Sequence, residues 1–111
     1  MKEILPQELF DWKTAGKTYQ LVDIREEHEI ASCSIGGEHI PMDRIIESLE
    51  KLRDDVPVII HCQSGRRSEA VVYLIEQKFK YDNNIIVFLS KLKEYTLLEG
   101  KNNFFDDRVL L

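Results

Sequence analysis

Val56-Pro-Val-Ile-Ile-His-Cys62-Gln-Ser-Gly-Arg-Arg-Ser68 is an apolar run that ends on a cysteine, followed by a short polar loop that leads straight into Ser68-Glu-Ala-Val-Val-Tyr-Leu-Ile-Glu-Gln-Lys-Phe79. The run Val56 to Ile60 is β-branched and nearly continuous, the pattern of a strand buried on both faces, as in a parallel sheet with helices on either side. The second stretch repeats apolar residues at Val71, Val72, Leu74, Ile75 and Phe79, which predicts an amphipathic helix with Ser68 at its start. Between the two, Gly65 permits backbone geometry closed to other residues, and the amides of a tight loop and of a helix N-terminus converge on one spot. Cys62 sits at that spot. The helix N-terminus and the guanidiniums of Arg66 and Arg67 favour the thiolate, the nucleophilic form, so Cys62 is the candidate nucleophile rather than a small residue packed at a strand end.

Outward from this stretch the chain alternates elements without repeats, linkers or low-complexity tracts. Pro6 to Lys13 reads as a first helix with Pro6 near its first turn, and Tyr19 to Ile24 as a strand. Glu26 to Ser32 forms a short helical turn, Gly36-Gly37 breaks the chain, and His39 to Pro41 is briefly extended. Asp43 is placed to cap a helix carrying Ile45, Ile46, Leu49 and Leu52 on one face. After the central strand and helix, Asn84 to Leu89 reads as another apolar strand. Strands separated by helices imply right-handed crossovers and an α/β sandwich, a central, mostly parallel sheet with helices on both faces, and ligands in such sheets bind beyond the carboxyl ends of the strands.

Three motifs in this order carry a family resemblance. His61-Cys-Gln-Ser-Gly-Arg-Arg-Ser68 resembles the active-site loop of single-domain rhodaneses, sulfurtransferases that carry sulfur as a cysteine persulfide. Leu21-Val-Asp-Ile-Arg-Glu-Glu-His-Glu29 is similar to the family's Asp-x-Arg-x-x-x-Glu signature, and Ile35-Gly-Gly-Glu-His-Ile-Pro41 to its glycine-and-proline segment. The resemblance spans about residues 4–89. It implies a rhodanese-like three-layer sandwich, a persulfide on Cys62, and a supporting role for Asp23 and Arg25 in the wall of the site through hydrogen bonds and an ion pair. Glu29 lies four residues beyond Arg25, within reach of it if the segment turns helical, whereas Glu26 and Glu27 read as solvated charge.

The loop residues Gln63, Ser64, Gly65, Arg66, Arg67 and Ser68 form the candidate substrate-binding set. Arg67 closes the loop, and its planar guanidinium suits an oxyanion donor. Cys33 lies in Cys33-Ser-Ile-Gly-Gly37, similar to the Cys-x-Ile-Gly-Gly segment of rhodanese domains fused to adenylyltransferases that activate ubiquitin-like sulfur carriers. The rhodanese resemblance implies thiosulfate or a persulfide-bearing protein as donor, and the Cys33 segment a sulfur-carrier protein among the acceptors. Cys33 itself reads as a packed structural cysteine in preference to a resolving thiol. His61 alternates to the face opposite Cys62 and reads as a packing histidine, not a general base. No recurrent His/Cys spacing marks a metal site, and no cofactor is implied.

Beyond Leu89 the family usually continues with two glycines, an apolar residue and an aromatic, whereas this chain reads Ser90-Lys-Leu-Lys-Glu-Tyr-Thr-Leu-Leu-Glu-Gly100. Residues 90–111 are therefore the divergent part of a single 1–111 domain. They begin with a helix that has Leu92, Tyr95 and either Leu98 or Glu99 roughly in register and Gly100 as its stop, followed by a tail that either frays or uses Phe104 and Phe105 to pack back or mediate a contact.

At 111 residues the chain is one domain with one core, and its net charge of −5 argues against nucleic acid or an anionic membrane as partner. The absence of a long apolar run and two cysteines too few for a disulfide scaffold give the expectation of a soluble, cytoplasmic protein. Two other classes compete with sulfur transfer. A cysteine phosphatase or arsenate reductase uses a similar thiolate, but its Cys-to-Arg loop is one residue longer than Cys62-x-x-x-x-Arg67; a non-catalytic rhodanese-like module normally lacks the cysteine.

Overall fold

The computed structural model describes residues 2–79 and 86–100. Five parallel strands, β1 (Lys2–Ile4), β2 (Gln20–Asp23), β3 (Glu38–His39), β4 (Val58–His61) and β5 (Ile86–Leu89), form one sheet in the order β1-β5-β4-β2-β3. The chain steps outward from β2 to β3 and then doubles back to β4 and β5, the connectivity that leaves a ligand crevice at the carboxyl ends of the central strands. In register, β4 sets His61 beside Asp23 of β2 and Leu89 of β5, so Cys62 emerges at the middle of that edge.

All four residues of β4 and all four of β5 are buried, which is why they read as continuous apolar runs rather than alternating ones. Successive side chains still serve different layers. Val58, Ile60 and Cys62 join Val71, Val72 and Ile75 of α3 (Arg66–Phe79) in one apolar cluster; Ile59 joins Leu9 of α1 (Pro6–Thr14) and Leu92 and Tyr95 of α4 (Leu92–Leu98) in the other. Each fully buried Val or Ile contributes about 1.5–3 kcal/mol through lost apolar exposure, which fixes α3 against β4 and hence the loop between them.

Several expectations shift. α3 begins at Arg66, two residues earlier than the apolar pattern indicated, so Ser68 lies inside its first turn instead of capping it. Asp43 caps no helix: it sits within a 3-10 turn, Met42–Arg44, entered from Pro41, and the following 3-10 stretch Ile46–Lys51 is kinked at Ser48. Ile45 and Leu52 of this stretch are nonetheless buried in the α3-side cluster, with Ile46 and Leu49 packed against it. The short helix α2 (Glu27–Ser32) forms as expected, its N-terminus closed by the Glu29 carboxylate accepting from the Glu26 N–H at 2.9 Å. β1 was not foreseen. The strand from Asn84 is described from Ile86, α4 forms with Leu92 and Tyr95 buried, and Phe104 and Phe105 lie outside the described residues. Among the described residues no helix is long and apolar enough to cross a membrane.

Candidate active site

Cys62 follows the last residue of β4 and is fully buried. The next residues turn back over it so that the Gly65 N–H donates to Cys62 Sγ at 3.2 Å and the Ser68 N–H at 3.3 Å, with Ser68 Oγ 3.5 Å from the sulfur. Ser68 Oγ also donates to the Gly65 carbonyl at 3.0 Å, which ties the loop to the first turn of α3 and aims both amides at one point. Gly65 holds φ +92° and is packed against the backbone of Ser90, the residue after β5. Three neighbouring strand ends thus converge on the sulfur: β4 supplies it, β5 supports the loop, and β2 builds the wall.

That wall is the Asp23–Arg25 pair. Asp23 accepts from Arg25 Nε at 3.1 Å on each carboxylate oxygen, from Arg25 Nη2 at 2.9 Å and from the Arg25 backbone N–H at 2.9 Å, all buried. Nη2 continues to the Cys33 carbonyl at 2.8 Å, and the Arg25 carbonyl lies 2.7 Å from His39 Nε2. The pair therefore ties Cys33, just after α2, and His39, at the end of β3, to the end of β2. Glu29 does not turn to Arg25. It takes Arg67 from across the crevice, accepting from Nη1 and Nη2 at 2.8 and 2.9 Å, a partner 38 positions away in sequence. Arg67 first, helped by the Glu26 N–H and opposed by burial, brings the Glu29 carboxyl down to about 2.

Of the remaining loop residues Gln63 is half-buried, Ser64 and Arg66 are exposed, and Arg66 forms no ion pair among the described residues. Cys33 packs against the apolar cluster of the opposite sheet layer from Cys62. Glu26 and Glu27 are exposed, in keeping with solvated charge.

His61 is fully buried beside Asp23, with Nε2 3.7 Å from Oδ2 and the Gly36 backbone also facing its ring. Burial, outweighing the pull of the Asp23 carboxylate and aided by the Arg25 charge, lowers its pKa from 6.5 to about 4, so the imidazole is neutral in the folded protein at neutral pH. Below pH 6.5 the unfolded chain takes up a proton here that the folded chain refuses until about 4. Stability is therefore expected to fall across that window by roughly 3 kcal/mol, and His61→Gln to flatten the slope; chemical denaturation at several pH values checks this. An unchanged slope in the variant would assign the acid sensitivity elsewhere.

Over residues 5–96 the sequence matches the family model described as Rhodanese-like domain. The chain belongs to that family. The match runs past Leu89 into α4 and so takes in the start of the divergent segment. YtwF of Bacillus subtilis (strain 168), named as a sulfurtransferase, is 39% identical over 85 residues, 75% of this chain and 82% of that protein. MoeZ of Mycobacterium tuberculosis (strain ATCC 25618 / H37Rv), named as an adenylyltransferase/sulfurtransferase, is 30% identical over 77 residues, 67% of this chain but 20% of that one, a distant kinship for the Cys-x-Ile-Gly-Gly resemblance. The crystal structure of SSP1007 from Staphylococcus saprophyticus superposes with TM-score 0.75 at 29% identity, covering 96% of this chain and 100% of the other. At the level of family this is a sulfurtransferase-type rhodanese-like domain.

Proposed function

We propose that the protein moves sulfane sulfur from thiosulfate or a persulfide donor to a thiophilic acceptor through a persulfide on Cys62. The observation that carries this reading is the pair of loop amides, Gly65 and Ser68, that point at Cys62 Sγ at 3.2 and 3.3 Å. Two preorganised donors stabilise negative charge on the sulfur and remain in place when the charge moves out by one atom. The Cys62 thiolate attacks the outer sulfur of thiosulfate, a sulfur–sulfur bond forms, and sulfite leaves with the electron pair of the bond that breaks. With a persulfide donor the leaving group is the donor's thiolate. A nucleophile such as cyanide then takes the outer sulfur as thiocyanate and returns the thiolate of Cys62. Gln63, Ser64, Arg66 and the loop amides form the donor-binding rim, Arg67 closes it, and Asp23 and Arg25 hold its wall. No cofactor is required by this electron count.

A shorter loop also separates this chemistry from phosphoryl transfer. With six residues from Cys62 to Arg67, the amides crowd a single sulfur atom and leave less space for a tetrahedral group with three oxygens. Purified protein treated with thiosulfate or a persulfide is expected to gain the mass of one sulfur, removed by cyanide or dithiothreitol, as read by intact mass spectrometry. Cys62-dependent hydrolysis of p-nitrophenyl phosphate without any persulfide would replace this reading with a phosphatase.

A further inference from the structure

The Arg67 guanidinium that closes the loop is already engaged. Both of its terminal nitrogens donate to Glu29 in a fork-to-fork pair at 2.8 and 2.9 Å, with 34% of the Arg67 side chain and 16% of the Glu29 side chain exposed. The carboxylate is held from a second direction by the Glu26 N–H at 2.9 Å, and α2, which carries it, is held at its end by Arg25 through the Cys33 carbonyl at 2.8 Å. Freeing Arg67 would therefore break two charge-assisted bonds and leave an ionised carboxylate half-sheltered beside the loop. Arg67 also faces Cys62, so the charge that Glu29 balances is one that acts on the reacting sulfur.

We propose that Glu29 is a positioning residue that sets the donor class: by engaging both terminal nitrogens of Arg67 and balancing its charge, it withholds net positive charge from dianionic donors such as thiosulfate and favours persulfides, whose transferable sulfur carries at most one charge. This rests on the sulfur-transfer function proposed above and adds the identity of the preferred donor. Repulsion from the Glu29 carboxylate grows with the charge of the donor, and the sulfonate of thiosulfate meets an Arg67 guanidinium whose charge is already balanced. A persulfide brings no sulfonate to be neutralised, and the charge on Cys62 Sγ is met by the Gly65 and Ser68 amides. Arg66, the remaining loop cation, is exposed, and its pull on an anion is screened by salt.

The test measures the rate of persulfide formation on Cys62 of the full chain against the concentration of thiosulfate and, separately, of cysteine persulfide. In the wild type, cysteine persulfide is expected to exceed thiosulfate in second-order rate by about tenfold or more, the size of one charge-assisted contact. Glu29→Gln should raise the thiosulfate rate about tenfold through a lower half-saturation concentration, at nearly unchanged maximal rate, and leave cysteine persulfide within about threefold. Glu29→Asp, which keeps the charge, should remain close to wild type, and Glu29→Gln should gain nothing in an Arg67→Ala background. A wild-type preference for thiosulfate would overturn the proposal even if the Glu29 variants failed to fold. So would a Glu29→Gln protein that slows both donors alike, because that is the mark of a merely structural residue. Failure of both donors to sulfurate Cys62 would be distinguishable, since it removes the sulfur-transfer reading itself.

Discussion

Cys62→Ser is expected to lower sulfur transfer from thiosulfate to cyanide by about 10³-fold or more, since the covalent route disappears with the sulfur. The fold should survive this change. A serine hydroxyl at the same position keeps the Gly65 and Ser68 amides as donors and Ser68 Oγ as neighbour, so the polar atom introduced into the α3-side cluster is not left unpaired, and the cost should be about 1 kcal/mol. Intact mass should show no added sulfur after treatment with either donor. Cys33→Ser makes the complementary control: Cys33 packs on the opposite sheet layer, so the variant should load sulfur on Cys62 and turn over at close to the wild-type rate. Wild-type turnover by Cys62→Ser would refute the assignment of the nucleophile, and a folded but inactive Cys33→Ser would give that thiol a catalytic part.

The residues that made the nucleophile legible in the sequence are those whose role is local. Val58 to His61 announce a doubly buried strand by composition, and a cysteine, a glycine and a helix start within a few residues can be laid out without knowing the rest of the chain. Strand β2 and helices α1 and α4 were legible for the same reason. β1 was not, because Lys2 and Glu3 carry no strand signal; their extended form comes from pairing with Val87 and Phe88 of β5, more than eighty positions away. The stretch after Asp43 has helical spacing of Ile45, Ile46, Leu49 and Leu52, yet Ile45 and Leu52 are buried, and Ile46 and Leu49 partly so, on a 3-10 backbone kinked at Ser48, so apolar periodicity indicated the inward face but not the backbone that presents it.

Partners were harder to read than elements. Spacing within one segment pointed Glu29 at Arg25, but Arg25 is consumed by Asp23 and the Cys33 carbonyl, and only the folded sheet brings α2 opposite the first turn of α3, where Arg67 is available. The signal in the sequence was an acid and a base each left without a local partner. Ser68 was similarly misplaced by its most common role: a serine before an apolar helix suggests a cap, whereas here the helix starts earlier and the side chain reaches back to Gly65 and Cys62.

Gly65→Ala is expected to damage both the fold and the chemistry, for reasons that can be separated. At φ +92° a non-glycine residue is strained by about 1–2 kcal/mol wherever it stands. At Gly65 the added Cβ would also sit 2.8 Å from both the Cα and the carbonyl oxygen of Ser90, so backbone, not a flexible side chain, would have to move. Gly16 provides the reference, with φ +72° and nothing within 4 Å of an added Cβ, so Gly16→Ala should cost the conformational strain alone. Gly65→Ala should cost roughly 2 kcal/mol more than that, in the range of overpacking a tight contact, and Ser90→Gly should give no rescue because the clash is with main-chain atoms. The Gly65 N–H is one of the two amides aimed at Cys62, and shifting it off the sulfur should lower transfer by about 10²–10³-fold at temperatures where the variant is still folded. Thermal unfolding of the two alanine variants, together with the rate of sulfur loading on Cys62, measures both effects, and equal stability losses with unimpaired loading would show that the loop does not depend on its close approach to β5.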